Sequence, residues 1–481
     1  MIQLFLKDIT KYIPAQVIPI LVGIISVPIL TRLFPPEEYG IYALIMASIQ
    51  ISFFSTGWIP QSVVRFYYSY KQKGKLNEFY HTLLALNAFS ILTVAFLIVS
   101  LMFLFRRTMF IDFYLFIFLS ILIAFLSSCF ESVLQMLRAQ RKVKWFSGFA
   151  AWKSIASVGF GIILVVVLRM GIAGLLLGSV ISLAMSFPLL GKIARQGFSS
   201  GPCEGFSWNL SKEMLKYGGP LIPSVLAAQI LSLGDRYILQ FLRGPKEVGV
   251  YSASYRIIEA AVLFFVFLFI QAAEPILINL WEKGQKGEIR KFLIKLTRYY
   301  LMVTIPLVTG LTVFSREVIG FFTAPEYHGG YSITPWVSTG VFFYGILQGF
   351  SSSIMFHKKT FIMMLATLAA GILNIILNIV FIPQHGFRAA AITTFASYVF
   401  LLILIIPLSY KLFPWRFPFK SLIRILCASM IMGIMVSRLK ALLMFSGFTN
   451  LIWSVFLGVV IYPLLLLLLR EVRLSRRLEG F

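Results

Sequence analysis

Charge is what this chain has least of. Charged residues make up 13% of its 481 positions, and 18 carboxylates are outnumbered by 43 lysines and arginines. The largest hydrophilic loops, 191–216 and 274–298, fall below the roughly 50 residues a folded domain needs, so no water-soluble domain is expected. Three cysteines, two of them (Cys129 and Cys427) inside apolar runs, build no disulfide framework. The sequence holds no GxxxxGK[ST] phosphate loop, no HExxH and no paired CxxC. No metal site and no bound cofactor are therefore expected. Energy would have to come from a proton or sodium gradient, or from a separate subunit. The N-terminus shows no short apolar core followed by a small-residue cleavage site, so no removable signal peptide is expected either.

Apolar residues are what the chain has in excess: 59% are hydrophobic and mean hydropathy is +0.88. A helix crossing a bilayer takes about 20 apolar residues, and the chain supplies that length repeatedly. Fourteen stretches stand out, near 9–33, 39–59, 81–105, 113–137, 146–168, 171–190 and 217–242, then 249–273, 299–322, 332–356, 360–382, 387–410, 421–437 and 448–469. The runs are continuous, without the apolar–polar alternation of barrel strands, so they predict helices. The expected fold is an all-α polytopic membrane protein of about fourteen transmembrane helices.

The connecting loops alternate between basic and nearly uncharged. Thirty lysines and arginines fall in one set, in clusters such as Arg138, Arg141, Lys142 and Lys144, and nine in the other, among them Arg32, Arg106, Arg107 and Lys246. Cations mark the cytoplasmic side, so both termini are expected inside and the number of spans even. The net charge of +25 then reads as topology determinants facing anionic lipid heads, and no nucleic-acid partner is expected. Within 288–298, Ile289, Phe292, Leu293 and Leu296 share one helical face, an interfacial lead-in to the next span.

A repeat runs through the chain. PPEEYGIY at 35–42 is matched by GPKEVGVY at 244–251, KYIPAQVIP at 11–19 by KYGGPLIP at 216–223, and RMGIAGLLLGSVIS at 169–182 by QHGFRAAAITTFAS at 384–397. The period is about 210 residues and six spans, an even number, so both copies start on the same side. The expected architecture is two parallel-repeat lobes around a central cavity. Residues 1–195 form an N-terminal six-helix lobe and 196–216 a cytoplasmic linker. Residues 217–410 form a C-terminal six-helix lobe, and 411–481 two additional helices and a cytoplasmic tail. Pro14, Pro19, Pro28, Pro220 and Pro223 fall in the first helix of each lobe, as hinges or as ordinary membrane-helix prolines.

A charge at the middle of a span costs about 2.5–3.5 kcal/mol on insertion scales, so such residues face a partner or a wet cavity. Arg236 lies ten residues before Lys246 and Arg256 ten after, which places the two arginines at similar depth on adjacent antiparallel helices. Asp235 and Glu259 flank them, and Arg256 and Glu259 are spaced for an i, i+3 pair. This group reads either as a self-neutralised lock on the hairpin or as an anion or ion-coupling site. Lys153 has no partner in its local sequence, which favours function. Glu131 shares a face with Gln135 and Arg138, as a structural pairing or a proton carrier. Aromatic residues read mostly as lipid-facing or interfacial anchors, and Tyr251 and Tyr255 read either so or as cavity residues that could stack against a sugar ring.

IPILTRLFPPEEYGIYAL, LSLGDRYILQFLRGPKEVGVYSASYRI and ILNIILNIVFIPQHGFRAAAITT give the chain its likeness to a family. It resembles, over nearly its full length, the polysaccharide transporters (Wzx-type O-antigen or capsule flippases) of the multidrug/oligosaccharidyl-lipid/polysaccharide flippase superfamily. The resemblance implies a transporter, not an enzyme, that moves an undecaprenyl-pyrophosphate-linked oligosaccharide from the inner to the outer leaflet by ion-coupled alternating access. It implies a bacterial cytoplasmic (inner) membrane location, with membrane lipids, lipid-linked oligosaccharide and other polysaccharide assembly proteins as partners. Lys153, Arg236, Arg256 and Tyr255 become candidates for pyrophosphate and sugar contact, and Asp235, Glu259 and Glu131 for proton or sodium coupling.

The pattern departs from the family's relatives in one respect. The first-lobe counterparts of Asp235, Arg236, Arg256 and Glu259 are Ser26, Val27, Ala47 and Gln50, so charge gathers in the second lobe. A lipid II flippase would carry arginines in its first spans, where only Arg32 is available, and a multidrug exporter would favour net acid. A membrane polymerase or ligase would need a larger outer loop than this chain has.

Overall fold

The computed structural model describes residues 2–52, 56–104, 111–195, 205–219, 222–357, 359–443 and 447–471. Arg106, Arg107, Pro220, Lys358 and positions 196–204 of the expected linker lie outside the described residues. Every described element is helical. In order they are α1 (Ile2–Leu33), α2 (Pro36–Ser52), α3 (Trp58–Gln72), α4 (Leu76–Leu104), α5 (Ile111–Ala139), α6 (Val143–Leu168), α7 (Gly171–Ala194), α8 (Trp208–Gly218) and α9 (Ile222–Arg243). There follow α10 (Pro245–Glu282), α11 (Lys286–Val313), α12 (Ser315–Phe322), a 3-10 turn (Pro325–Ile333), α13 (Thr334–Phe356), α14 (Thr360–His385), α15 (Phe387–Leu412), α16 (Phe419–Leu443) and α17 (Gly447–Leu468).

The fourteen apolar stretches all fold as helices. Among the described residues, nine are long and apolar enough to cross a bilayer by length and composition alone. The stretches at 39–59, 81–105, 217–242, 332–356 and 448–469 correspond to α2, α4, α9, α13 and α17. Helix α2 has 17 residues, and α9 is diluted by polar residues such as Gln229, Asp235 and Arg236. The chain is a multi-pass membrane protein.

Contacts divide it into two compact units. The first is Met1–Ser26 with Ile41–Gly234, and the second is Val27–Gly40 with Asp235–Phe481. Within the first, α3 and α8 occupy stretches that the apolar-run reading leaves as loops. Both are amphipathic and too polar to read as spans. Helix α8 starts at Ser207, whose Oγ accepts from the Leu210 amide at 3.4 Å, and it buries Leu210, Ser211, Met214 and Gly218 along one face. Gly218 sits against Trp58 of α3, and the Arg65 guanidinium lies 4.6 Å from the Tyr217 ring centre. On the same unit, Lys142 donates to the Ile193 carbonyl at 2.7 Å. Burial and the neighbouring Lys71 cation lower its pKa.

In the second unit the expected lead-in holds. Helix α11 begins at Lys286, and Ile289 and Leu293 are fully buried with Phe292 and Leu296 half-buried. The expected span 299–322 is broken, because α11 ends at Val313 and the short α12 starts again at Ser315. The end of the described chain is stapled down by a buried carboxylate. Glu471 accepts from Arg298 of α11 at 2.5 Å and from Arg424 of α16 at 3.5 Å.

The repeated hairpins meet in this unit. The carbonyl oxygen of Pro36 lies 1.9 Å from where a Cβ on Gly249 would stand, and that of Pro245 lies 2.0 Å from the Cβ position of Gly40. Gly40 and Gly249 occupy the same place in PPEEYGIY and GPKEVGVY, as do Pro36 and Pro245, so the contact is reciprocal. Equivalent positions 37 and 246 face each other as well, with Lys246 Nζ 3.7 Å from Glu37 Oε1. The matched pair at 169–182 and 384–397 also shares a positive φ: Gly171 and Gly386 both turn the chain between two helices with φ of +53° and +58°.

Candidate functional site

The second unit holds a polar centre built on α9, α10, α14 and α15. Asp235, on α9, is fully buried, and Arg236 beside it is 8% exposed. The Arg236 Nη1 lies 3.3 Å from Asp235 Oδ1, and its guanidinium carbon lies 4.9 Å from the Tyr255 ring centre and 5.6 Å from that of Tyr251. The cation is thus neutralised on one side and covered by aromatic faces on the other. Tyr251 donates its hydroxyl to Asp235 Oδ2, which also accepts from Thr394 of α15 at 3.3 Å. The depth match read from the loop at Lys246 is reproduced, since the α10 rings that cover Arg236 stand at 251 and 255.

Behind Asp235 the network continues through neutral groups. Asn374 of α14 donates to Thr394 Oγ1 at 3.3 Å, Asn378 donates to Asn374 Oδ1 at 2.9 Å, and Thr393 donates to Asn378 Oδ1. Asn374 and Asn378 are fully buried. Each buried polar group therefore finds a partner, as an apolar interior requires. Sequence reading by charge passes over these residues, although Asn374 and Asn378 stand at i, i+4 on one face of an otherwise apolar run.

The remaining candidates lie differently. Arg256 is exposed and Glu259 half-buried. Their expected i, i+3 pair does not close, and among the described residues Arg256 makes no ion pair within 4.0 Å. Lys153 is corrected in the opposite sense. Its lack of a partner holds only along the sequence, because α5 brings Glu131 to 2.9 Å of its Nζ, above the Phe130 ring. These two candidates, assigned to substrate and to ion, sit in one half-exposed pair of the first unit. Glu131 is thereby drawn to Lys153 and not to Arg138.

A double-mutant cycle on Lys153→Met and Glu131→Gln, read by thermal unfolding, should return a coupling of about 1 kcal/mol or less, the range of exposed pairs. A coupling near zero would mean that the pair contributes nothing to holding α5 on α6.

Arg32 donates to the carbonyls of Pro28 at 2.7 Å and Phe321 at 3.5 Å, which occupies it at the span end. Within the second unit an apolar cavity of about 820 Å³ opens among α11, α13, α15 and α16. Phe342, Phe343, Trp415 and Phe417 line it, and Arg416 brings a cation to the lining.

The second unit of this all-helical membrane protein thus buries an ion pair in a polar centre. Residues 5–281 match the family described as polysaccharide biosynthesis protein, and the chain belongs to that family, as the resemblance of its repeated hairpins implies. A probable low-salt glycan biosynthesis flippase, Agl15, of Haloferax volcanii is 22% identical over 275 residues, 56% of each chain. The chain spans about half the length of the curated relatives it matches. Among solved structures, the lipid II flippase MurJ in an inward closed conformation matches 95% of this chain and 98% of its own, with a TM-score of 0.76 and 18% identity. An inward-facing multidrug resistance MATE transporter of the MOP superfamily matches 83% and 97%, with a TM-score of 0.66 and 14% identity. The chain thus has the fold of that superfamily.

Proposed function

We propose that this protein turns a polyprenyl-pyrophosphate-linked oligosaccharide, undecaprenyl in a bacterial cytoplasmic membrane, from the inner to the outer leaflet by ion-coupled alternating access. The observation that carries the reading is the Asp235 centre, a carboxylate buried among hydroxyl and amide oxygens in a member of a polysaccharide biosynthesis family. Buried intramembrane carboxylates are costly and mark ion paths. The oxygens of Asp235, Tyr251, Thr394, Asn374 and Asn378 are hard ligands, suited to a proton or a sodium ion. Arg256, exposed and, among the described residues, in no ion pair within 4.0 Å, is the better candidate for the pyrophosphate, and Arg236 the better candidate for holding Asp235. The apolar cavity with Arg416 on its lining suits a prenyl chain. The basic loop set supports cytoplasmic termini, and each charge moved through the membrane supplies about 2.3 kcal/mol per 100 mV.

The test is reconstitution of the full chain in vesicles loaded with a fluorescent polyprenyl-pyrophosphate oligosaccharide, with translocation read as protection from a membrane-impermeant quencher. Translocation should accelerate with an imposed proton or sodium gradient and fall about tenfold or more in Arg256→Ala, the loss of one charged hydrogen bond. A rate equal to that of protein-free vesicles under both gradients would overturn the reading.

A further inference from the structure

Glu274 is a carboxylate that the apolar-run reading leaves out of the membrane, because the eighth stretch ends at residue 273. Helix α10 runs on to Glu282, eight residues further, so Glu274 stands about 12 Å inside the helix end at 1.5 Å per residue. It is exposed, and among the described residues it makes no ion pair within 4.0 Å. It opens onto a second cavity of about 370 Å³ within the same unit, walled by α10, α11 and α13. That volume is in the lower part of the 300–1,000 Å³ range of small-ligand sites.

The wall of this cavity mixes two chemistries. Gln348 contributes a carboxamide, and Ser351 and Ser352 contribute hydroxyls that donate to the Gln348 carbonyl at 2.9 and 3.1 Å, leaving their own lone pairs as acceptors. Phe269, Tyr300 and Phe356 supply flat apolar surface. Gly349 leaves the floor open, since a Cβ there would meet nothing within 4 Å.

We infer that this cavity is a subsite for one sugar ring, with Glu274 and Gln348 taking its hydroxyls. A pyranose offers several O–H donors around an apolar ring face. A carboxylate accepts such donors in short, charge-assisted bonds, a carboxamide both accepts and donates, and the aromatic wall takes the ring face. An organic cation would satisfy the carboxylate and the aromatic rings, but it would leave the amide and the two serines without a role. The inference rests on the proposed oligosaccharide cargo and assigns a place for part of it.

The experiment uses the full chain in lipid nanodiscs, free of glycoside detergent, with saturation-transfer NMR on methyl β-D-glucopyranoside and N-acetylglucosamine, and on tetramethylammonium. Saturation transfer to at least one sugar is expected, weakened about tenfold or more by Glu274→Gln, the loss of a charged hydrogen bond. Gly349→Leu, which fills the floor and favours the helix, should abolish it without lowering the melting temperature. Sugar signals unchanged in both variants, or transfer to tetramethylammonium with none to either sugar, would overturn the assignment. Vesicle assays separate this result from the cargo reading. Wild-type translocation that both variants retain, without sugar binding, sinks the subsite alone. Sugar binding sensitive to Glu274→Gln, without translocation, sinks the cargo reading and leaves the subsite.

Discussion

Asp235→Ala should lower the stability of the full chain by about 3–5 kcal/mol, the cost of breaking a buried ion pair by removing one partner. The reason lies in what Arg236 keeps once the carboxylate is gone. At 8% exposure it has little water to turn to, and the carboxylate that lay 3.3 Å from it, between α9 and the rings of Tyr251 and Tyr255, is lost. The Tyr251 hydroxyl and Thr394 lose their shared acceptor in the same step. Adding Arg236→Leu removes the stranded charge, so the double variant should regain most of the lost stability. Transport separates the two roles of the centre. If Asp235 carries the coupling ion, the double variant is folded and still inactive, and the gradient no longer changes its rate. A double variant that recovers both melting temperature and gradient-driven translocation would make the centre a lock between α9 and α10 and nothing more. The measurement pairs thermal unfolding in detergent with the vesicle assay, so a misfolded protein is not mistaken for an uncoupled one.

The helices were legible because a bilayer leaves one strong signature in a chain, a long apolar run, and charge in the loops sorts the sides. The depth of Arg236 was legible for a geometric reason. A tight hairpin fixes the register of its two helices, so Arg236, ten residues before Lys246, meets Tyr255, nine after it. What the sequence could not convey is which non-adjacent faces meet. Lys153 and Glu131 are 22 residues apart on separate helices, and nothing in either helix announces the other. Asn374, Asn378 and Thr394 escaped because neutral polar side chains are cheap enough in membrane helices to carry no alarm, and their meaning comes from the carboxylate that α9 brings to them. Glu274 escapes through an edge effect: the apolar run ends at residue 273, although the helix continues to Glu282. Helices α3 and α8 escaped because a hydropathy window sees bulk apolarity and not a 3.6-residue stripe.

The repeat carries the second large effect. Gly249→Ala should force the hairpins apart, because the new methyl would lie 1.9 Å from a backbone carbonyl oxygen, that of Pro36, which has no rotamer to escape into. Overpacking of this kind typically costs about 1–3 kcal/mol, and the reciprocal contact means that Gly40→Ala should do the same from the other side, against Pro245. Small residues at such crossings let backbones approach to carbonyl contact, which larger side chains forbid. If alternating access requires this crossing to open and re-form, a cost of 1.4 kcal/mol on the closed form shifts its population about tenfold. Spin labels at the exposed positions Glu37→Cys and Lys246→Cys report it directly. The wild-type background should give one short distance, and Gly249→Ala should add a longer population. Joining the same two cysteines with a short linker should instead hold the crossing closed and stop translocation. Unchanged distances in Gly249→Ala, or full translocation by the joined protein, would show that the two copies of the hairpin touch without gating anything.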